Sequence, residues 1–502
     1  MAKLSDLPPE LLLTVVSFLW TNQPARKSLF DASIRRKALP GSPLAKDLQR
    51  ARSPVINLSS ACKALHEALK AEKYRFVSIH GHNSAQKLLS LLRLIRLRPE
   101  IGRHIKQLHL RLEPLAHGIT SVSYAQLRSL KAWAETTGVV VDDDVLMTAD
   151  ALESSECTAG CKTNNHDALP NEFEHDRTCL RILCAMLFHY LGDVREISLS
   201  VSGAAFVFLP DELVYRRQNS TDLLPSLRSL ALEATPAGMA SYEKMYVADV
   251  VAMSGIVKGL SEVYLRGFDL RWGLAEMPPF NDFLRSLVLQ DVYLHSSAAV
   301  ESMCRFLQSC GSLSKFIYLV TDNAYQAWVG ALIPCLEITR GLMSSRKSLQ
   351  TLCIDLGPRY RYYEIDESID TLEDFSCLES LWIDSRSCAR SAEDTVDDDY
   401  HGFYTVVVPD LVEGDPAPRS QTGPMRNLPP SLRRLHIGGP VYRAYDGLVW
   451  LAARCRRGAM PRLEELAFDD PDLFQPDTAN LRSAFRGTGV RLCKVDRDIV
   501  TW

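Results

Sequence analysis

A chain of 502 residues is too long for a single compact core, so it predicts several domains or an extended repeat array. Hydrophobic residues make up 46% and charged residues 24%, the balance of an ordinary soluble protein. A formal net charge of -4 gives no general reason to expect nucleic acid or an anionic membrane as a partner.

Targeting signals are missing from the sequence. No apolar run approaches the roughly 18 to 20 residues that span a bilayer, and the N-terminus lacks the order of a secretory signal. The 13 cysteines are scattered without a CxxC pair, a pattern that favours free thiols in a reducing compartment. The sequence therefore predicts a cytoplasmic or nuclear protein without a membrane partner.

The first predicted element is a helix that begins near Pro8 and Pro9, where a missing backbone N–H costs nothing. Its apolar residues recur at helical spacing, at Leu11, Leu12, Val15, Val16 and Leu19. This helix is more apolar than a surface helix needs to be. We expect it to bury one face in its own domain and to offer another face to a partner.

A basic insertion is predicted at about 21–54, where eight Lys and Arg residues stand against two Asp and four Pro residues. A solvated loop is the expected form, with a nuclear-import or nucleic-acid role as the alternative. A second helical block follows around Leu58 and Leu65, and a third covers 88–97 before Pro99 ends it.

From about residue 101 a short pattern returns ten times: an apolar residue, two others, an apolar residue, one other, and a third apolar residue. The ten copies begin at Ile105, Val194, Leu227, Leu260, Leu284, Leu313, Leu349, Leu378, Leu432 and Leu463. The alternation predicts a strand in each copy, and the spacing leaves room for a returning helix that packs on its neighbours. An unrelated α/β fold with several leucine-rich strands is the alternative.

Two acidic insertions, at about 117–180 and 386–426, interrupt this array. They contain the aspartate runs 142–144 and 397–399. Charge runs of this kind predict solvated or disordered loops whose deletion would cost little stability. The alternative is that they line the rim of the array and select a basic target.

A family resemblance rests on the N-terminal residues. The segment Leu7-Pro8-Pro9-Glu10-Leu11-Leu12 resembles the opening helix of an F-box, and residues 57–65 resemble its later helix. Residues 74–77 are similar to the usual exit of the module. The resemblance assigns 1–80 to an F-box with a basic insertion and, more loosely, 81–502 to irregular leucine-rich repeats. The length of the insertion departs from the family pattern.

The resemblance implies an α/β protein: a small helical F-box followed by an irregular leucine-rich-repeat-like solenoid, with a parallel sheet on the concave face and helices outside. F-box proteins bind a Skp-type adaptor, which joins a cullin–RING ubiquitin ligase, while the second domain binds a protein target. The implied role is a non-catalytic adaptor that raises the effective concentration of target lysines. The adaptor-binding residues that it implies are Leu7, Pro8, Glu10, Leu11, Val15, Leu19, Leu58 and Leu65.

Target binding is predicted on the concave face, where the residue between the last two apolar positions of a strand would point. The side chains assigned to this position are Tyr264, Tyr318, Trp382 and His436. Aromatic residues dominate binding hot spots, which favours Trp382 as the anchor. The alternative for each is a solvated side chain or one packed against its neighbours.

Catalytic and metal motifs do not stand out. The sequence has no phosphate loop, dinucleotide fingerprint, nucleophile elbow or HExxH helix. The best zinc candidates match no familiar spacing, so no metal or cofactor is predicted; they are Cys157, Cys161, His166, His175, Cys179 and Cys184. Two alternatives to the adaptor stay open: a ubiquitin-independent repeat scaffold or receptor whose N-terminal helices cap the array, and an enzyme whose site is assembled from distant residues.

Overall fold

The computed structural model describes the chain in segments. These are residues 8–21, 53–81, 83–112, 124–136, 180, 182–202, 224–235, 243–246, 257, 259–271, 283–294, 297–320, 335–355, 369, 371–385, 425, 427–439, 444–468 and 476–494. The chain forms two compact units, one made of Met1–Ile34 and Leu39–Leu284, the other of Arg35–Ala38 and Arg285–Trp502.

The first unit is helical at its start and then gains strands. Its helices are α1 Pro9–Thr21, α2 Lys63–Ala68, α3 Lys70–Arg75, α4 Ser84–Leu97, α5 Pro99–His104 and α6 Tyr124–Thr136. Residues 53–60 and 182–190 are also helical. Its strands are β1 Phe76–Ile79, β2 Gln107–Leu112, β3 Glu196–Ser202, β4 Ser229–Thr235, β5 Glu243–Tyr246, β6 Glu262–Arg266 and β7 Phe268–Arg271.

The second unit alternates strands with helices. Its strands are β8 Ser286–Gln290, β9 Tyr293–Leu294, β10 Lys315–Leu319, β11 Thr351–Asp355, β12 Ser380–Asp384, β13 Arg434–Gly438, β14 Glu465–Phe468 and β15 Arg491–Lys494. Its helices are α7 Ser297–Ser309, α8 Cys335–Gly341, α9 Tyr445–Arg456 and α10 Pro476–Phe485, with a 3-10 turn at Leu342–Ser345.

Each unit is built on parallel strands that pair in chain order. In the first unit the order is β1-β2-β3-β4-β6, and β5 pairs in parallel with β7 in a separate sheet. In the second unit the order is β8-β10-β11-β12-β13-β14-β15. Parallel neighbours need crossover connections, and the long segments between successive strands provide them. The described chain is therefore α/β, with strands added one after another as in a repeat array.

The same pattern of backbone hydrogen bonds recurs at the start of several strands. The carbonyl of Arg228 accepts from the amides of Ser261 and Glu262, and the carbonyl of Gln350 accepts from Glu379 and Ser380. The same two-to-one arrangement recurs at Arg195, Arg285, Ser314, Glu379 and Arg433. It satisfies the amides at each strand entrance and fixes neighbouring strands in one register.

All ten strands predicted from the apolar pattern are confirmed, each within one or two residues of the expected position. Five strands were not predicted: β1, β5, β7, β9 and β15. Strand β1 lies where the F-box exit was expected, and β15 follows the last copy of the pattern. Helix α6 lies inside the predicted 117–180 insertion, and its Leu130 and Ala134 are buried, so this part is not a solvated loop. The aspartate runs and residues 22–52 of the basic insertion fall outside the described residues, whereas residues 53 and 54 belong to a helix.

Candidate functional site

Helix α1 is the first candidate surface, because it exposes apolar side chains. Its first turn begins at Pro8, whose carbonyl accepts hydrogen bonds from the amides of Leu11 at 3.0 Å and Leu12 at 3.1 Å. Leu12 and Val16 lie four residues apart and share a buried face, with 3% and 1% of their surfaces exposed. One stripe of the helix is thus anchored in the core.

The anchor is a small cluster formed by the two helical blocks of the N-terminus. Val16 packs with Val55, which lies on the helix at 53–60, and with Leu69, which ends helix α2. Leu58 packs against this cluster and is half-buried. Leu65 is 4% exposed, so its assignment to the adaptor-binding surface is wrong: it belongs to the core.

The outward faces of α1 carry two leucines. Leu11 is 51% exposed and Leu13 is 43% exposed. At about 100° per residue, Leu11 lies about 200° from Leu13, so the two flank the buried stripe on different sides. Pro8, Leu11 and Val15 follow one another at spacings of three and four residues and form one apolar stripe, which we call the α1 stripe.

The other predicted adaptor contacts divide between exposed and undescribed positions. Pro8 and Glu10 are exposed and Val15 is half-buried, and their assignment to the adaptor-binding surface stays a prediction. Leu7 and the side chain of Leu19 lie outside the described residues. Leu13 was missed, although the run Leu11-Leu12-Leu13 contains the signal: three consecutive leucines span about 200° of a helix and cannot all face one core.

The face of the sheet is the second candidate surface. In the second unit, register aligns the residues between the last two apolar positions into a row, which we call the unit-two row: Val288, Ile317, Cys353, Trp382, His436 and Ala467. Trp382 is 4% exposed and His436 is 8% exposed, and their rings stack with centroids 3.4 Å apart and planes 21° apart. The prediction of an open concave surface is therefore wrong at Trp382 and His436, which are buried and pack against each other.

Tyr318 does not lie on the unit-two row, so its predicted place among the target-binding residues is wrong. It is the third apolar residue of its pattern, not the residue before it, and it pairs in register with Leu289 and Ile354. Its ring is fully buried, and its hydroxyl donates a hydrogen bond to the carbonyl of Val292 at 3.1 Å. Because successive strand residues face opposite sides, Tyr318 lies on the face of the sheet away from Trp382.

Tyr264 lies on the corresponding row of the first unit, which runs across five strands. This unit-one row consists of Ser78, His109, Ser198, Ala231 and Tyr264. Tyr264 is 1% exposed and lies beside Ala231 in register, so the prediction that it lies on an open surface is also wrong. The sheet faces of both units are therefore closed at the residues that were expected to bind a target.

His109 is the most perturbed titratable group of the unit-one row. It is 3% exposed, and its Nδ1 has no hydrogen-bond partner among the described residues. Burial lowers the pKa of His109 to about 4, and the nearby His80 and Arg111 add to this effect. The imidazole is therefore neutral at physiological pH. Its register neighbours Ser78 and Ser198 supply hydroxyls but no carboxylate to orient it for base catalysis.

No protein-family model matches the chain, and no curated protein matches it. Its function therefore has to be inferred from the chemistry of the surfaces described above.

Metal-binding groups are dispersed over the described part of the chain, where no three His, Cys, Asp or Glu side chains come together to hold an ion. Of the zinc candidates only Cys184 is described, and burial raises the pKa of its thiol to about 12. A protonated, buried thiol is a poor metal ligand. No helix within the described residues combines the length and apolarity needed to cross a bilayer.

Proposed function

We propose that this protein is the substrate-recognition adaptor of a Skp–cullin–F-box ubiquitin ligase. Its N-terminal helices would bind a Skp-type adaptor, and its strand-bearing remainder would bind a protein target. The observation that carries the proposal is the α1 stripe, an exposed apolar surface on a helix whose other face is anchored in the core. The role requires no bond-making group and places the protein in the cytoplasm or nucleus.

The anchoring of α1 supports this reading. Val16 packs against Val55 and Leu69, and Leu12 is buried on the same face of the helix, so the exposed side chains are held in place before a partner arrives. A preorganised helix face loses less conformational freedom on binding than a flexible segment does. Leu11, half of whose surface is open to solvent, has apolar area left to bury against a partner.

The test uses two leucines of the same helix. Burying a leucine contributes roughly 1.5 to 3 kcal/mol, and an aspartate in its place adds a desolvation penalty. We therefore expect Leu11→Asp to weaken binding to a purified Skp-type adaptor by at least about tenfold. Leu13→Asp, a change of equal chemistry on the other flank of α1, is the matched control and should bind within about twofold of wild type. Isothermal titration calorimetry would measure both affinities.

Three results would count against the proposal: wild-type affinity in Leu11→Asp, equal loss in the two variants, or no adaptor binding by the wild-type chain. The last would favour a ubiquitin-independent scaffold in which α1 only caps the array, because its packing through Val16 suits a cap as well. Thermal melting of each variant separates lost binding from lost folding.

A further inference from the structure

The outer surface of helix α4 is strongly basic. From Ser84 to Pro99 the sequence contains Lys87, Arg93, Arg96 and Arg98 and not one acidic residue. The next acid along the chain, Glu100, is paired with Lys70 at 3.0 Å. The positive charge of the helix is therefore not neutralised from within its own sequence.

These charges lie on the solvent side of the helix. Leu88, Leu92 and Ile95 are buried and fix which face of α4 meets the core. Arg93, Arg96 and Arg98 are all exposed. Arg93 is three residues from Arg96 and four from Leu97, so these side chains are neighbours on the helix surface.

An apolar side chain sits among the arginines. Leu97 is 80% exposed, well above the 51% of Leu11 on α1. A lone exposed leucine is ordinary on a protein surface. Here it lies among Arg93, Arg96 and Arg98, so a partner that neutralised the arginines would also cover it.

Helix α6 adds an aromatic side chain to this surface. The guanidinium of Arg96 lies over the ring of Trp133, 5.0 Å from its centroid, and Trp133 is only partly buried. The contact holds Arg96 in one place and leaves part of the indole accessible. Arginine and tryptophan are the residue types that most often dominate binding energy at interfaces.

We infer that the surface formed by Arg93, Arg96, Leu97, Arg98 and Trp133, the α4 surface, binds an acidic segment of a partner protein that carries an apolar residue. The arginines form charge-assisted hydrogen bonds with carboxylates, and Leu97 and Trp133 provide an apolar surface against which the partner's apolar side chain packs. A nucleic-acid backbone would use the arginines but not the leucine. This inference does not depend on ubiquitin-ligase function, because the α4 surface does not include α1.

The test measures binding of labelled peptides to the full-length chain by fluorescence anisotropy. The probe is a peptide of Asp and Glu residues with a central leucine, and a second peptide has serine in its place. We expect Arg93→Glu with Arg98→Glu to weaken binding of the first peptide by about tenfold or more. Arg305→Glu with Arg457→Glu makes the same change in net charge at exposed arginines of the other unit and should leave affinity within about twofold.

The leucine is tested by a double-mutant cycle. Leu97→Ser should weaken the leucine peptide severalfold and leave the serine peptide unchanged, because only the first pair loses an apolar contact. Replacing Arg93 and Arg98 with lysines, in place of glutamates, should restore most of the affinity, because lysine carries the positive charge. Restoration should be incomplete, because lysine lacks the planar guanidinium group that binds a carboxylate through two hydrogen bonds.

Several outcomes would overturn the inference. These are wild-type affinity in the Arg93 and Arg98 double variant, equal weakening in the Arg305 and Arg457 control, or no peptide binding at all. Tighter binding of a single-stranded oligonucleotide or of anionic vesicles than of the leucine peptide would also overturn it. Circular dichroism of each variant confirms that it is folded before its affinity is compared.

Discussion

Helix α1 and the strands of the second unit are both rich in apolar residues, yet they use them differently. On α1 the leucines divide, with Leu12 3% exposed and its neighbours Leu11 and Leu13 about half exposed. On the strands both faces are closed, so that Cys353 and Trp382 are as buried as the leucines beside them. A helix that is apolar on several sides but packed on only one must leave some apolar residues to solvent, whereas parallel strands are commonly covered on both faces.

The largest expected effect tests whether the unit-two row is core. Trp382→Ala should destabilise the second unit by about 3–5 kcal/mol, because it opens a cavity beside His436. Trp450→Ala is the matched control: Trp450 is only partly buried, under Arg454 at 5.0 Å, and should cost about 1–2 kcal/mol. Urea denaturation measures both. Wild-type stability of Trp382→Ala would show that this face is open, and Trp382 would again be a candidate target-binding residue.

A second prediction concerns pH and the unit-one row. The pKa of His109 falls from 6.5 to about 4 on folding. Between these two pH values the imidazole is therefore mostly protonated in the unfolded chain and mostly neutral in the folded chain. The stability associated with the neutral imidazole is complete above pH 6.5 and is lost as pH falls towards 4. The loss amounts to roughly 3 kcal/mol. His109→Gln should flatten the curve of unfolding free energy between pH 4 and 6.5.

The matched comparison is Ser198→Ala. Ser198 is 7% exposed and pairs in register with His109, and its hydroxyl does not ionise in this pH range, so the variant should keep the slope of wild type. A wild-type slope in His109→Gln would mean that another group titrates in this window and that the unit-one row is more open than its burial indicates.

The smallest expected effect sharpens the division within α1. Leu12→Ala should lower the free energy of unfolding of the N-terminal region by about 2 kcal/mol, since it removes most of a side chain that is 3% exposed. Leu11→Ala should change stability by less than about 0.5 kcal/mol, because that side chain is half exposed. Hydrogen exchange of the α1 amides reports both. Equal protection in the two variants would contradict the assignment of inner and outer faces.

Pattern reading located the strands but mistook some of their side chains. Each strand predicted between Ile105 and Phe468 forms, because its three apolar positions are set by spacing within six residues. The pattern missed five strands: β1 and β15 lie at the two ends of the pairing order and each pairs with a single neighbour, and β5, β7 and β9 are short strands outside that order. Tyr318 was misassigned within its own pattern. The assignment of Leu65 failed because helical spacing alone does not tell which of two apolar faces meets the core.

The sequence by itself determined where α1 and the ten patterned strands form, because those elements depend on the periodicity of nearby residues. Only the tertiary structure decided which leucine of α1 faces solvent, and that Trp382 and His436 stack inside a closed face. Their partners come from segments far away in the chain: Val55 and Leu69 pack on α1, and His436 meets Trp382 across 54 positions. Local spacing assigns a side chain to a face, whereas the packing of remote residues determines whether that face is open or covered.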